Sequence, residues 1–371
     1  MQLNETLARQ IVSRAMKILS FSVNVMDERG LIIASGNPDR LHQRHEGAVL
    51  ALTENRVVEI SEATARELKG VRPGINLPIA YQGVLIGVIG ISGNPDEVRA
   101  YAELVRMTAE LILEQAALTE QLQWDKRHKE ELVLQLIRGE GRSDQLQQAA
   151  RFLGLDLAQP RVVAVLALEE SDPTRLRELI LQLEYPERNN LVAINGLDEI
   201  VVLKPAQLSD GLWQSEQERS RIKQLLARIP HFKVRIAVGD YFAGISGLAR
   251  SYQTARDTLR RGMRQEPRKQ VYFFEDYRLP VLLGSLADSW QADQLRAPLQ
   301  LLSEQDTKGT LQKTLRHYFL QDCDLHRCAE ALFIHPNTLR YRLTRIEQIT
   351  GLHFNKLDDK FLLYLGLSLS L

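Results

Sequence analysis

With 371 residues the chain is long enough for two or three separately packed domains. Its 47 Lys and Arg balance 47 Asp and Glu, so the molecule as a whole has no charge-based attraction to nucleic acid or to an acidic membrane, and any basic surface has to be local. No basic segment leads into an apolar core at the start, no apolar run reaches the ~18–20 residues that span a bilayer, and Cys323 and Cys328 lack a second ligand pair. A cytoplasmic protein without metal, cofactor or disulfide framework is therefore expected.

The first ~95 residues predict a small α+β domain. Helical patterns cover about residues 4–19 and 45–54. From Phe21 the sequence alternates, turns at Asp27-Glu28-Arg29-Gly30 and runs apolar again to Gly36, which predicts a hairpin. Two further strands are predicted at 74–79 and 84–91, around a turn containing Gly83. After Asn94-Pro95-Asp96 an unbroken helical pattern covers about 97–138, with Leu104, Met107, Leu111, Leu118 and Leu122 near one side. Glu114, Gln115 and Asp125 interrupt that stripe, so a dimeric coiled coil and an ordinary packed helix both fit.

Gly139-Glu140-Gly141 predicts a hinge that closes a connecting helix over 96–141. Beyond it, strands at 162–166, 191–194, 200–203 and 234–238 alternate with helices near 174–184, 216–229 and 247–261, so 142–283 is expected to be an α/β domain. The remainder, 284–371, reads as all-helical.

Near the C-terminal end, Leu325, Ala329 and Leu332 mark a short amphipathic helix, and Phe333-Ile334-His335 breaks it. Pro336 suits the first position of the next helix, because its missing N–H would be unpaired there anyway. Two short helices with a three-residue joint have helix-turn-helix spacing. On the second helix Leu339, Leu343 and Ile346 share a face, with Asn337, Tyr341, Thr344 and Arg345 roughly opposite and Arg340 and Arg342 on the flanks. Between His335 and Ile346 there are three arginines and no acid. Asn pairs with adenine, Arg with guanine or phosphate, and hydroxyls with either. His335, Asn337, Thr338, Arg340, Tyr341, Arg342, Thr344 and Arg345 are therefore the candidate DNA contacts.

The string from Ala331 to Leu343, A-L-F-I-H-P-N-T-L-R-Y-R-L, followed by Arg345-Ile346 and Thr350-Gly351-Leu352, resembles the C-terminal helix-turn-helix of the purine-catabolism and carbohydrate-diacid regulator families. Segments V-N-V-M-D-E-R-G at 23, H-E-G-A at 45 and G-V-R-P-G-I-N-L-P at 70 resemble the sugar-diacid recognition domain of the latter family. This resemblance implies a transcription activator for uptake and catabolism of glucarate, galactarate and glycerate, with such an acid as inducer. The fold expected is α+β and multidomain: a PAS-like sensor, a degenerate cyclase-like middle domain and an all-α DNA-binding end. One short recognition helix buries too little surface for operator affinity, so a homodimer on palindromic half-sites about one helical turn apart is expected.

A sugar acid needs guanidinium forks for carboxylates and fixed donors for hydroxyls. Two polar loops offer them, Ser35 to Gly47 and Gly70 to Asn76. The candidate ligand groups are Arg40, His45 and Arg72, with backbone donors from Gly74 and Ile75 and the Asn76 side chain. Each also reads as a surface arginine or a structural polar residue. A rival reading comes from Asn195-Gly196-Leu197-Asp198-Glu199, which resembles the turn that names diguanylate cyclases. Leu197 stands at the second glycine, Glu169-Glu170-Ser171-Asp172 follows the first strand, and the nucleotide-contacting stretch of a cyclase is missing, so a degenerate fold kept as a spacer or dimerisation unit is expected. A metabolite-binding adaptor without DNA activity is the other alternative.

Overall fold

The computed structural model describes residues 3–67, 71–168, 173–184, 189–196, 198–284 and 286–370. Contacts divide the chain into two units, residues 1–126 and 127–371.

In the first unit α1 (Glu5–Met16) starts at Asn4, whose side chain accepts from the Leu7 N–H at 2.9 Å, a standard way to satisfy a free helix-terminal donor. β1 (Val23–Met26) and β2 (Ile32–Ser35) form the expected hairpin. Its turn is held by Asp27 Oδ1, which accepts from the Arg29 and Leu31 N–H groups, and Gly30 takes φ +78°. α2 (Glu46–Glu54) is followed by β3 (Val58–Ile60) and α3 (Glu62–Glu67), two elements too short to show a period in the sequence. β4 (Gly74–Tyr81) and β5 (Val84–Ser92) complete an antiparallel sheet of order β2-β1-β5-β4-β3. Pro78 is tolerated in β4 because β3 pairs only with Gly74 to Asn76 and ends before it.

The sheet has two chemically different faces. Val23, Val25, Ile75, Leu77, Ile89 and Ile91 pack with α1 and with the first half of α4 (Pro95–Arg138) through Val98, Ala102, Val105, Ala109, Ile112 and Leu113. Met26, Val58, Ile60 and Val88 on the other face meet Ala48 and Ala51 of α2. The stripe singled out in α4 from sequence is not the packed one. Leu104, Met107, Leu111, Leu118 and Leu122 are all more than half exposed, and the smaller residues of the neighbouring face bury instead. Small side chains let the helix approach the sheet closely.

In the second unit the last turns of α4 add Leu132, Val133, Leu136 and Ile137 to a core with α5 (Ser143–Phe152). There follow β6 (Arg161–Leu168), α6 (Pro173–Leu183), β7 (Leu191–Ile194), β8 (Glu199–Pro205), the small ribbon β9 (Leu208–Ser209) and β10 (Leu212–Trp213), and α7 (Ser215–Arg228). β11 (Val234–Val238), α8 (Ile245–Gln265) and β12 (Val271–Phe273) close a second five-stranded sheet of order β12-β11-β6-β8-β7. Only the β11-β12 pairing is parallel. Apolar clusters lie on both faces, one with α6 and α7 and one with α5 and α8, which explains the continuous apolar runs of these strands.

Helices α9 (Arg278–Gly284), α10 (Trp290–Gln305), α11 (Thr310–Leu320), α12 (Leu325–Ala331), α13 (Pro336–Thr350) and α14 (Leu357–Ser370) form the end. Cys328 is buried in their core, and Cys323, in the turn between α11 and α12, is half-buried, both as thiols.

Candidate functional site

On the α2 side of the first sheet, register places Ser35, Asn24, Gly90 and Asn76 in one row across β2, β1, β5 and β4. A polar row in an apolar sheet is costly unless it is used. Asn24 is satisfied, since Ser35 Oγ donates to its Oδ1 at 2.6 Å. Asn76 is 3% exposed, and its Oδ1 has no hydrogen-bond partner. Two glycines make room for that amide. A Cβ at Gly90 would lie 3.0 Å from Asn76 Oδ1, and one at Gly47 in α2 would lie 3.0 Å from Asn76 Nδ2.

Arg40 and His45 come to the same unit from the segment between β2 and α2. Arg40 ends a short 3₁₀ turn, Pro38–Arg40, and is only 7% exposed. Burial lowers its pKa, and the nearby charge of Arg72 lowers it further. His45 is the N-cap of α2, with Nδ1 accepting from the Ala48 N–H at 3.1 Å. Burial first, and then the Arg40 charge, bring its pKa down to about 4. The ring is therefore neutral at pH 7 with its proton on Nε2, where it acts as a donor. Two guanidinium groups that repel one another, a neutral N–H donor and an orphaned amide acceptor are what a hydroxylated carboxylate would satisfy.

Arg40 is within electrostatic reach of Arg72 and of His45, the His45 ring and the Asn76 amide both approach Gly47, and Arg72 is exposed. Gly74 and Ile75 do not serve as donors. β4 pairs with β3 on one side and β5 on the other, so their N–H groups belong to the ladders, and the Ile75 side chain lies in the opposite core. Gly74 is there for closeness: an added Cβ would sit 2.2 Å from the Ile91 carbonyl oxygen. Asn24, Gly47 and Gly90 were missed. The only sequence signal was a polar Asn within the apolar string V-N-V-M.

The helix-turn-helix forms as its spacing predicts. Leu339, Leu343 and Ile346 are buried, while His335, Asn337, Thr338, Arg340, Tyr341, Thr344 and Arg345 are exposed along one surface of α13. His335 caps the helix, its Nδ1 accepting from the Asn337 N–H at 3.2 Å. Arg342 is placed differently from the others: its Nη1 donates to Thr314 Oγ1 at 3.3 Å, so it faces α11 and ties the recognition helix to the domain. At the joint, Phe333 has φ +55° and is 95% exposed, an aromatic residue in a conformation that favours glycine.

In the middle domain the cyclase-like turn is tied to α8 through Glu199. Glu199 Oε1 accepts from Asn195 Nδ2 at 2.7 Å and from the Tyr252 hydroxyl at 2.7 Å. Burial and that carboxylate push the Tyr252 pKa up to about 12, so the phenol stays a donor. Leu197 and the stretch from Glu169 to Asp172 lie outside the described residues.

Three family models match the chain: putative sugar diacid recognition over residues 3–136, a GGDEF-like domain over 138–260, and the PucR C-terminal helix-turn-helix domain over 311–369. The carbohydrate diacid regulator of Escherichia coli is 46% identical, with 99% of this chain and 98% of that protein covered. An uncharacterized protein of Haemophilus influenzae is 50% identical, with 99% of each covered. A Bacillus subtilis protein named DNA-binding transcriptional activator AdeR is 29% identical over 51% of this chain and 47% of its own length.

His45 makes the first unit acid-sensitive. Its folded pKa of about 4 lies below the unfolded value of 6.5, so its contribution is full above pH 6.5 and is lost as pH falls toward 4. The charges that act on it are Arg40 and Glu46, and Arg72 acts on Arg40. Urea denaturation of the full chain should show roughly 3 kcal/mol less stability at pH 4 than at pH 6.5 from this group. His45→Asn, which keeps a capping side chain, should remove that part of the loss. An unchanged pH dependence in the variant would show that His45 is not the titrating group.

Proposed function

The chain belongs to the carbohydrate diacid regulator family, and on that footing we propose that its buried Arg40–His45–Asn76 cluster, with Arg72, receives a small sugar acid that sets the DNA activity of α13. The protein is a DNA-binding transcription regulator with a sugar diacid recognition domain. Which acid induces it, and how occupancy reaches DNA, are our reading. The observation that carries it is the unpartnered, buried Asn76 Oδ1 in the same sheet unit as the buried Arg40. A ligand hydroxyl satisfies the Asn76 oxygen, which a simple anion cannot do, and a ligand carboxylate has the charge that offsets the Arg40–Arg72 repulsion. Glycerate, glucarate and galactarate have that chemistry.

Residues 1–95 are read as a PAS-like sensor, supported by the antiparallel five-stranded sheet with a polar row on one face. We read the middle domain as a spacer without catalysis, supported by the engagement of Glu199 with Tyr252 and Asn195. No helix among the described residues is long and apolar enough to cross a membrane, and a DNA target puts the site of action in the cytoplasm.

The ligand reading is tested by thermal unfolding of the full chain against the three acids, with neutral sugars as controls. Stabilisation should rise as RT ln(1 + [L]/Kd) for at least one acid. Arg72→Ala should remove that shift while leaving DNA affinity within about twofold, because Arg72 is exposed and remote in sequence from α13. No shift with any acid would overturn the assignment of the pocket.

For DNA, Asn337→Ala or Arg345→Ala should cost about 1–3 kcal/mol and relax base preference where the side chain reads a base. A uniform loss across sequences would reassign that side chain to phosphate contact, and unchanged binding would remove it from the interface.

A homodimer is supported by the exposed stripe on α4. Leu104, Leu111 and Leu118 recur at seven-residue intervals, with Tyr101 and Leu122 in the intervening row. Leu111→Glu with Leu118→Glu should convert the dimer to monomer in sedimentation equilibrium and weaken operator binding at least tenfold. A dimer that survives both changes must be held elsewhere.

A further inference from the structure

The joint between α12 and α13 is closed in a regular way by an unusual residue. Leu332 is the C-cap of α12, the Phe333 N–H donates to the Glu330 carbonyl at 3.0 Å, and the Ile334 N–H donates to the Ala329 carbonyl at 3.0 Å. That pair of bonds is the Schellman closure, which satisfies the last carbonyls of a helix and puts the residue after the cap in the left-handed region. Glycine is the usual occupant, because a Cβ there crowds the following carbonyl oxygen. Elsewhere this chain uses it: Gly139 after α4, Gly154 after α5 and Gly351 after α13 have φ of +68°, +69° and +72°. Among the described residues the other side chains in that region are polar or, at Cys323, small, and Phe333 is the one large apolar case.

Packing does not account for it. Leu332 and Ile334 on either side turn partly into the core of the C-terminal helices, whereas Phe333 belongs to none of the apolar clusters and is the most exposed large apolar residue among those described. Phe333 therefore weakens the free protein twice, through backbone strain and through an aromatic ring left in water. Glycine would remove both penalties. A position that breaks a local rule without a structural gain points to a function.

Its place in the motif says which function. Two residues later His335 caps α13, and Asn337 and Thr338 lie in the first turn. In a docked helix-turn-helix the N-terminal residues of the second helix are those that reach base edges, so the joint belongs to the end that meets the bases. From Phe333 to Ile346 there is no acidic residue to repel the phosphates alongside. A phenyl ring has no hydrogen-bonding group, so the feature of the major groove that it can recognise is the 5-methyl group of thymine.

We propose that Phe333 is a specificity-determining DNA contact whose ring packs on a thymine methyl of the operator. This rests on α13 being the recognition helix. The left-handed turn holds the ring outward before DNA arrives, and docking takes it out of water.

The probe is a duplex selected by the full chain from a random-sequence pool, with copies in which each dT is replaced in turn by dU, a change that removes only the methyl. At one position or its symmetry mate the wild-type protein should lose about fivefold in affinity. Phe333→Gly should bind the unmodified duplex about tenfold more weakly and should not distinguish dT from dU at that position. Its thermal midpoint should be no lower than that of the wild type, since the strain is gone. If neither Asn337→Ala nor Arg345→Ala weakens binding, the recognition-helix reading falls and the proposal falls with it. If either does, the proposal alone is overturned by unchanged affinity in Phe333→Gly, by the absence of any dU penalty in the wild type, or by a penalty that persists in the variant. A lowered midpoint would place the ring in the fold, and loss of a dimer in sedimentation equilibrium would place it against a second copy, and each would also overturn the DNA assignment.

Discussion

The sensor unit depends on the pleat of its sheet. Successive side chains on a strand point to opposite faces, so each of β1, β4 and β5 sends one set of residues into the core under α1 and α4 and the other toward α2. That rule turns three separate sequence positions, Asn24, Asn76 and Gly90, into neighbours. It also sets the fate of adjacent residues: Ile75 goes to one face and Asn76 to the other. The buried polar row could not survive in the middle of a continuous apolar layer, and glycine at 47 and 90 keeps space around its unsatisfied amide.

The C-terminal end relies on the analogous property of a helix. With 3.6 residues per turn, Leu339, Leu343 and Ile346 fill one side of α13 and leave the opposite side to polar and basic groups. The ends of the element are fixed by local chemistry. His335 caps the first turn, Pro336 starts it, and Gly351 closes it at φ +72°. Arg342 is on the border between the two sides and goes to Thr314, so one of the three arginines of the motif fixes the helix in place and two remain to face outward.

The middle domain is GGDEF-like, and its hairpin rests on packing. The hairpin of β7 and β8 persists because its inward residues, Ala193, Val201 and Leu203, are part of the core. The Glu199 carboxylate of that hairpin accepts from the Tyr252 phenol and the Asn195 amide.

The sequence by itself determined which segments are helices and strands wherever a period could repeat, the position of the helix-turn-helix, and the residue types able to meet DNA or an acid. It did so because period and capping are local: hydrophobic spacing, Pro336 and the turn residues act within a few positions of themselves. β3 and α3 escaped because three to six residues hold no period. The stripe that the sequence shows on α4 stays exposed because the chain carries two apolar rows, and only contact with the sheet decides that the small row, with Ala102 and Ala109, goes inside. Likewise the orphaned Asn76 oxygen, the neutral state of His45 and the turn of Arg342 toward Thr314 exist only in the tertiary structure. Burial and partnership are properties of residues brought together from distant parts of the chain, and no local pattern encodes them.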